Sequence, residues 1–151
     1  MSQLLAISYR SKASRDLSAQ KIDDILSSAR GFNAGCGVTG VLFYSLGEFF
    51  QYIEGPRTSI AQVYQRILDA SSHHDVVQLY MGEIGALLFD DWYMGFCQTP
   101  ESALQEICNA EWQDAMPVTR DTAAAVPGLT HLVYFWNKWS VDGYSFPPQS
   151  A

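Results

Sequence analysis

The segment GEFFQYIEG, residues 47–55, decides both the fold and the centre of the candidate site. Its residues predict a β-strand, in which side chains at i and i+2 share a face, so Phe49, Gln51 and Ile53 lie together. A buried amide without partners costs about 2 to 7 kcal/mol, so a covered face would require a polar partner for Gln51. This strand alone leaves open the alternative that Gln51 faces solvent while the other face lines the core, with Phe50, Tyr52 and Glu54.

Composition restricts the class of protein. The chain has 151 residues, 48% of them hydrophobic, and a net charge of −7, which fits one globular domain and argues against a nucleic-acid partner. No apolar run reaches the roughly 18 residues of a membrane span, and no basic segment precedes the first apolar run as in a signal peptide. We therefore expect a cytoplasmic protein whose three cysteines, Cys36, Cys97 and Cys108, are reduced thiols.

Periodicity predicts the order β-α-β-β-α-β followed by one more strand. The strands are expected at 3–9, 38–45, 47–55, 76–84 and 91–97. A first helix is expected from the N-cap Ser18 to about Gly31, with Ile25 on its apolar face, and a second after Pro56. This order is typical of an α+β, ferredoxin-like fold with both helices on one sheet face.

The chain changes character near residue 100, since five of the six prolines lie from there onward. We therefore expect two parts, a domain over 1–98 and a C-terminal helical extension over 99–151 that packs on the open sheet face. Residues 129–139 place four apolar side chains at helical spacing, namely Leu132, Phe135, Trp136 and Trp139. The alternative is that this stripe forms a partner-binding or dimer surface, because tryptophan is enriched at interface hot spots.

Several motifs resemble catalytic or binding signatures without their required context. GCGVTG, residues 35–40, matches the dinucleotide pattern G-x-G-x-x-G, but it follows a predicted helix and precedes a strand, the reverse of the required order. Ser18 and Lys21 match S-x-x-K without its companion motifs, and an N-cap explains the serine. His73 and His74 have no third ligand at metal-binding spacing, so no metal site is expected.

Four places in the chain can converge between the sheet and the helices. Tyr9 ends the first strand, Asn33 falls on the apolar face of the first helix if that helix continues, and Gln51 lies mid-strand. Trp92 and Met94 share a face of the last predicted strand. An apolar slot with two amides and one phenol suits a flat heterocycle with a polar rim.

A specific resemblance to one protein family is carried by four segments, SYRS (8–11), FNAGCGVTGVLFYS (32–45), FFQYIEG (49–55) and FDDWYMGF (89–96). Over about residues 2–98 the chain resembles the BLUF family of blue-light sensors. The resemblance implies FAD, with FMN or riboflavin as substitutes, held non-covalently between the two helices. It also implies a photoactive tyrosine at Tyr9, a switching glutamine at Gln51 and a flavin-binding Asn33, while Trp92 and Met94 match the strand residues whose placement changes with light.

This sequence departs from the family pattern at three positions. The family often has an Arg-His pair after the second helix, which reads Ser72-His73 here, and Arg66 or Lys12 is expected to replace the missing arginine. Leu88 stands at another position where arginine is common. Phe32 replaces a residue that is often polar, and we expect it to pack on the ring face. Ile25, Phe32, Arg66 and His73 thus join Tyr9, Asn33 and Gln51 as expected cofactor-binding residues.

We expect a photoreceptor without catalytic activity. Because the sequence ends soon after the predicted fold, we expect no attached output enzyme, and the signal would pass to an unknown downstream partner or within a homo-oligomer. One alternative is a flavin-dependent oxidoreductase, which requires an open site for a second substrate. Another is a light-insensitive adaptor that keeps only the fold.

Overall fold

The computed structural model describes residues 3–14, 18–89, 93–110 and 131–136. Five strands and three helices follow one another as β1 (Leu4–Ala13), α1 (Ala19–Cys36), β2 (Thr39–Ser45), β3 (Glu48–Pro56), α2 (Arg57–Asp69), β4 (His73–Ile84), β5 (Gly95–Gln98) and α3 (Glu101–Asn109). Residues 131–136 are also helical. In the part of the chain so described, no helix is long and apolar enough to cross a membrane.

The strands form one mixed sheet in the order β4-β1-β3-β2-β5. The first four are antiparallel neighbours, and β5 adds to β2 in parallel. The α+β class and the ferredoxin-like order expected from the periodicity are confirmed. In this register Gln51 lies directly opposite Tyr9 on one side and Leu42 on the other.

Local sequence signals set the ends of α1 and of the β2–β3 hairpin. Ser18 accepts a hydrogen bond from the backbone N–H of Lys21 at 3.2 Å, as an N-cap does. Gly37 ends the helix in the left-handed region at φ 74°, which glycine adopts without steric cost. The predicted hairpin turn is also present, with φ positive at Leu46 and Gly47. GCGVTG therefore ends a helix and begins a strand.

Each face of the sheet has its own core. The face with α1 and α2 buries the odd-numbered side of β3, including Phe49 and Ile53, with Ile22 and Leu26 of α1. The opposite face buries the even-numbered side, with α3 and three residues of the 131–136 segment, Leu132, Phe135 and Trp136. The division of the chain at residue 98 stays a prediction. Trp139 lies outside the described residues.

Several predicted boundaries were wrong. The helix α1 continues past Gly31 to Cys36, because its hydrogen-bonded turns persist until the left-handed Gly37. The strand β4 begins at His73 rather than 76, and β1 extends to Ala13. The last strand begins at Gly95, so Met94 precedes it instead of lying within it. Trp92 lies outside the described residues.

Candidate functional site

A cavity of about 1130 Å³ lies between the two helices and the sheet face that they cover. Its walls combine apolar side chains such as Leu42 and Val63 with a few polar groups at the ends of different elements. This size and this composition are typical of a small-molecule site. The cavity lies where the odd-numbered side of β3 meets α1 and α2, which is the face that the sequence assigned to Gln51.

Tyr9, Gln51 and Met94 form a chain of hydrogen bonds on the cavity wall. The Tyr9 hydroxyl donates to Gln51 Oε1, and Gln51 Nε2 donates to Met94 Sδ at 3.2 Å. Gln51 is only 6% exposed, so these two bonds provide the partners that its burial requires. The antiparallel register of β1 and β3 brings the phenol and the amide together, since the two residues are direct partners.

Tyr9 remains a protonated donor. Its side chain is buried, and this burial, with a smaller contribution from Tyr64, raises the pKa of Tyr9 far above its ordinary value of 10.0. Its ring contacts those of Tyr64 and His73, with centroids 6.1 and 5.8 Å away. The phenol therefore keeps its proton at neutral pH and presents it to Gln51.

The first helix holds the backbone next to Met94. Asn33 Nδ2 donates to the carbonyl of Tyr93 at 2.8 Å, and Arg30 Nε donates to the carbonyl of Met94 at 3.0 Å. Arg30 and Asn33 are three residues apart and so lie on one helix face. The pKa of Arg30 is lowered by burial, against a smaller opposing effect of Asp23. These contacts position the thioether against the Gln51 amide from the side opposite β1.

His73 closes the cavity beside Tyr9. Both of its ring nitrogens have partners, at 2.7 Å to the Ser11 hydroxyl and 2.7 Å to the Ile67 carbonyl. The carbonyl can only accept, so Nε2 carries a proton and donates to it, while the Ser11 hydroxyl can pair with Nδ1 as donor or as acceptor. The ring is thus fixed between β1 and the end of α2 as part of the wall.

Arg66 lies at the cavity wall and Lys12 does not. The Arg66 guanidinium donates to Ser28 Oγ at 2.6 Å and covers the Phe32 ring at 4.6 Å. Phe32 lies outside the set of cavity-wall residues, and its packing on a cofactor ring stays a prediction. Adjacent helix positions point about 100° apart, so with Asn33 directed inward Phe32 lies under Arg66 instead.

Seven of the nine predicted site residues meet at this cavity: Tyr9, Ile25, Asn33, Gln51, Arg66, His73 and Met94. Sequence reasoning missed Arg30, which could have been found from its i, i+3 spacing to Asn33. It also missed Ser28 on the wall, which carries no distinctive sequence signal, and Lys21, which was noted only in the S-x-x-K match. In the described residues, no group of three or more His, Cys, Asp or Glu side chains could hold a metal ion.

The chemistry of the wall fits a flavin. A flavin ring is flat and largely apolar, with hydrogen-bonding atoms along one edge, and the cavity offers apolar walls with Asn33 and Gln51 amides. The phenol-amide-thioether chain has no nucleophile paired with a base, so it is suited to transmitting a change of hydrogen bonding. Fold and site together define a cofactor-binding sensor domain.

Comparison with known families agrees with this class. The family described as BLUF, sensors of blue-light using FAD, matches residues 4–95. The chain therefore belongs to the BLUF family of flavin-based blue-light sensors, which confirms the resemblance drawn from the sequence.

Individual relatives extend this comparison. The blue light- and temperature-regulated antirepressor BluF of Escherichia coli (strain K12) is 32% identical over an alignment of 95 residues, which covers 58% of this chain but 24% of that protein. The structure of BlrB, a BLUF protein in its dark state, matches with a TM-score of 0.61 and 28% identity, over 71% of this chain and 80% of that one. The BlsA photo-activated state matches over 98% and 99% of the two chains with a TM-score of 0.67 and 22% identity, which supports the fold alone.

Proposed function

We propose that this protein binds FAD in the cavity and senses blue light through a reversible rearrangement of the Tyr9, Gln51 and Met94 hydrogen bonds. The observation that carries the proposal is the position of this chain of bonds on the cavity wall, with Gln51 in its centre. The flavin supplies absorption of blue light when it is bound. The protein supplies the donors and acceptors that change afterwards.

Gln51 is suited to act as a two-state element. In the dark arrangement its oxygen accepts from Tyr9 and its nitrogen donates to Met94. Rotation of the amide by about 180° exchanges the oxygen and the nitrogen. The thioether would then face an oxygen to which it cannot donate, so the rotated state loses the Met94 contact and presents a different group to the cavity. Light would bias this equilibrium.

FAD is proposed over riboflavin because two cationic side chains lie on the wall, where two carboxylates, Asp24 and Asp69, lie as well. Lys21 of α1 and Arg66 of α2 are suited to phosphate groups, and Arg66 provides the charge that Ser72 lacks. Asn33 and Gln51 would bind the polar edge of the ring. The apolar lining residues Ile25, Leu42, Val63 and Ile67 would bury its faces.

We propose that the signal leaves through the opposite sheet face to a partner protein or a second copy of the chain. The ring of Trp136 in the helical segment contacts Phe89 and Phe43, at centroid distances of 6.2 and 6.2 Å. Phe89 belongs to the same connection between β4 and β5 that leads to Met94. A displacement of Met94 can therefore be transmitted along a short stretch of the chain to Phe89, whose ring contacts the helical segment.

The test is made on the purified full chain. Acid release and chromatography should identify FAD as the main flavin, and a light-minus-dark absorption spectrum should show a red shift that recovers in the dark. Protein that stays colourless after reconstitution with excess FAD would contradict flavin binding. Protein that binds FAD without a reversible shift would contradict the sensor function.

Lys12 provides a matched control for the proposed role of Arg66 in binding phosphate. Replacing Arg66 with Gln should lower affinity for FAD more than affinity for riboflavin, because only FAD carries phosphates. Lys12→Gln makes the same loss of charge at an exposed position near the end of β1, away from the cavity, and should leave both affinities unchanged. Equal losses for FAD and riboflavin in Arg66→Gln would argue against phosphate binding.

A further inference from the structure

Glu54 is a fully buried carboxylate that lies outside the cavity. It belongs to β3, like Gln51, but an odd spacing of three residues puts it on the opposite sheet face. Burial of a carboxylate requires donors, and here there are four. Its Oε1 accepts from the Tyr52 hydroxyl at 3.1 Å and from the backbone N–H of Leu88 at 2.9 Å. Its Oε2 accepts from Thr39 at 3.3 Å and from the backbone N–H of Phe89 at 2.6 Å.

Two of these donors belong to the connection between β4 and β5. Leu88 and Phe89 follow β4, and only residues 90–92 separate them from Tyr93 and Met94. The first helix holds the far end of this connection through the carbonyls of Tyr93 and Met94, as described above. The near end is held to β3 by Glu54. The two described ends of this connection, Leu88 with Phe89 and Tyr93 with Met94, are therefore held from opposite sheet faces.

Phe89 also links this anchor to the C-terminal segment. Its backbone donates to Glu54, while its ring contacts Tyr52 at a centroid distance of 5.7 Å and Trp136 at 6.2 Å. The three contacts join β3, the β4–β5 connection and the helical segment 131–136 at one point. A displacement of Phe89 would thus change the packing of Trp136.

We propose that Glu54 is a positioning residue that locks the β4–β5 connection to β3 in the dark arrangement, so that the state of Gln51 is coupled through Met94 and Phe89 to the helical segment. The proposal rests on the proposed light switch. The carboxylate is suited to this task because both oxygens are saturated by two donors each, so any displacement of Leu88 and Phe89 leaves a buried acceptor underbonded. Such an anchor favours two discrete positions over a gradual shift.

The test is Glu54→Gln in the full chain loaded with FAD. Glutamine keeps the shape but replaces one oxygen by an NH₂ group, which cannot accept from a backbone N–H. Because the Leu88 and Phe89 bonds to Glu54 must re-form on the way back to the dark arrangement, losing one of them should raise the barrier to reversion. The light-induced state should therefore revert about tenfold more slowly, the size of effect expected from one lost hydrogen bond to a charged acceptor. FAD content and the dark spectrum should stay as in wild type, since no cavity residue changes. Glu48→Gln, the same change on the same strand and face, should revert at the wild-type rate. Wild-type or faster reversal in Glu54→Gln would overturn the proposal.

A double-mutant cycle separates positioning from a merely structural role. If Glu54 acts through Met94, then adding Glu54→Gln to Met94→Leu should change the reversion rate by less than about twofold beyond Met94→Leu alone. A full further slowing would show that Glu54 does not act through Met94, and it would overturn the proposal.

Amide hydrogen exchange on the wild-type protein provides a readout that does not depend on a foldable variant. The Leu88 and Phe89 amides should be protected in the dark and should exchange faster under blue light. Unchanged exchange in a protein that shows the red shift would overturn the lock while leaving the proposed function intact. Absence of the red shift itself would refute the proposed function, independently of the dark protection at these amides.

Discussion

Replacing Gln51 with leucine should abolish the light response and leave a measurable defect in stability. Leucine keeps most of the volume but removes the acceptor of the Tyr9 hydroxyl and the donor to Met94 Sδ. The Tyr9 side chain is 3% exposed, so its hydroxyl would remain buried without a partner. An orphaned buried donor costs about 1 to 3 kcal/mol, and we expect Gln51→Leu to lower the free energy of unfolding by this amount.

The double variant Tyr9→Phe, Gln51→Leu tests the origin of this loss. Removing both partners leaves two apolar groups and no orphaned hydroxyl, so the double variant should regain much of the stability that Gln51→Leu loses. Urea unfolding measured at equal flavin saturation gives the free energies, since bound ligand adds stability of its own. Gln78→Leu is a matched control, because Gln78 is exposed on β4 and lies opposite Tyr9 in the sheet register.

Light-minus-dark absorption spectra of these variants test whether Tyr9 and Gln51 form the light switch. Tyr9→Phe and Gln51→Leu should each bind flavin and each lose the reversible red shift, and the double variant should be no worse than either, because the two residues act as one unit. Gln78→Leu should keep the full shift. A full, reversible red shift in Gln51→Leu would refute the glutamine switch.

Three further predictions concern other parts of the molecule. Asn33→Ala should weaken flavin binding by about tenfold, because it removes the amide at the cavity and its bond to the Tyr93 carbonyl. Fluorescence titration with FAD measures this, and an unchanged dissociation constant would contradict the role of Asn33. Burial raises the pKa of Glu54 above its ordinary 4.5, so the folded state binds more protons than the unfolded state between the two pKa values. Stability attributable to Glu54 should therefore fall as pH rises through that window, and urea midpoints against pH should show this slope in wild type but not in Glu54→Gln. Trp136→Ala should lower the free energy of unfolding by about 3 to 5 kcal/mol, because it opens a cavity beside Phe89. The dark flavin spectrum should not change. A urea midpoint equal to that of wild type would count against this packing.

Local patterns in the sequence predicted most of the residues that form the hydrogen-bond switch. Strand periodicity put Gln51 on one face with Phe49, and the strand order of a ferredoxin-like sheet placed β1 beside β3, so that Tyr9 could meet it. Helical periodicity gave the direction of Asn33, although the end of α1 was placed too early. These predictions succeeded because periods of two and 3.6 residues fix which side chains share a face before any tertiary contact forms.

Only the tertiary structure decided which groups hold this switch in place. Met94 precedes β5, and its position depends on Arg30, which lies 64 residues earlier in the chain. Glu54 reads in sequence as an ordinary charged residue, and two of the four donors that satisfy its buried carboxylate are backbone N–H groups, those of Leu88 and Phe89, brought to it by the tertiary fold. Backbone donors carry no side-chain signature, so no pattern of residue types could have revealed this anchor.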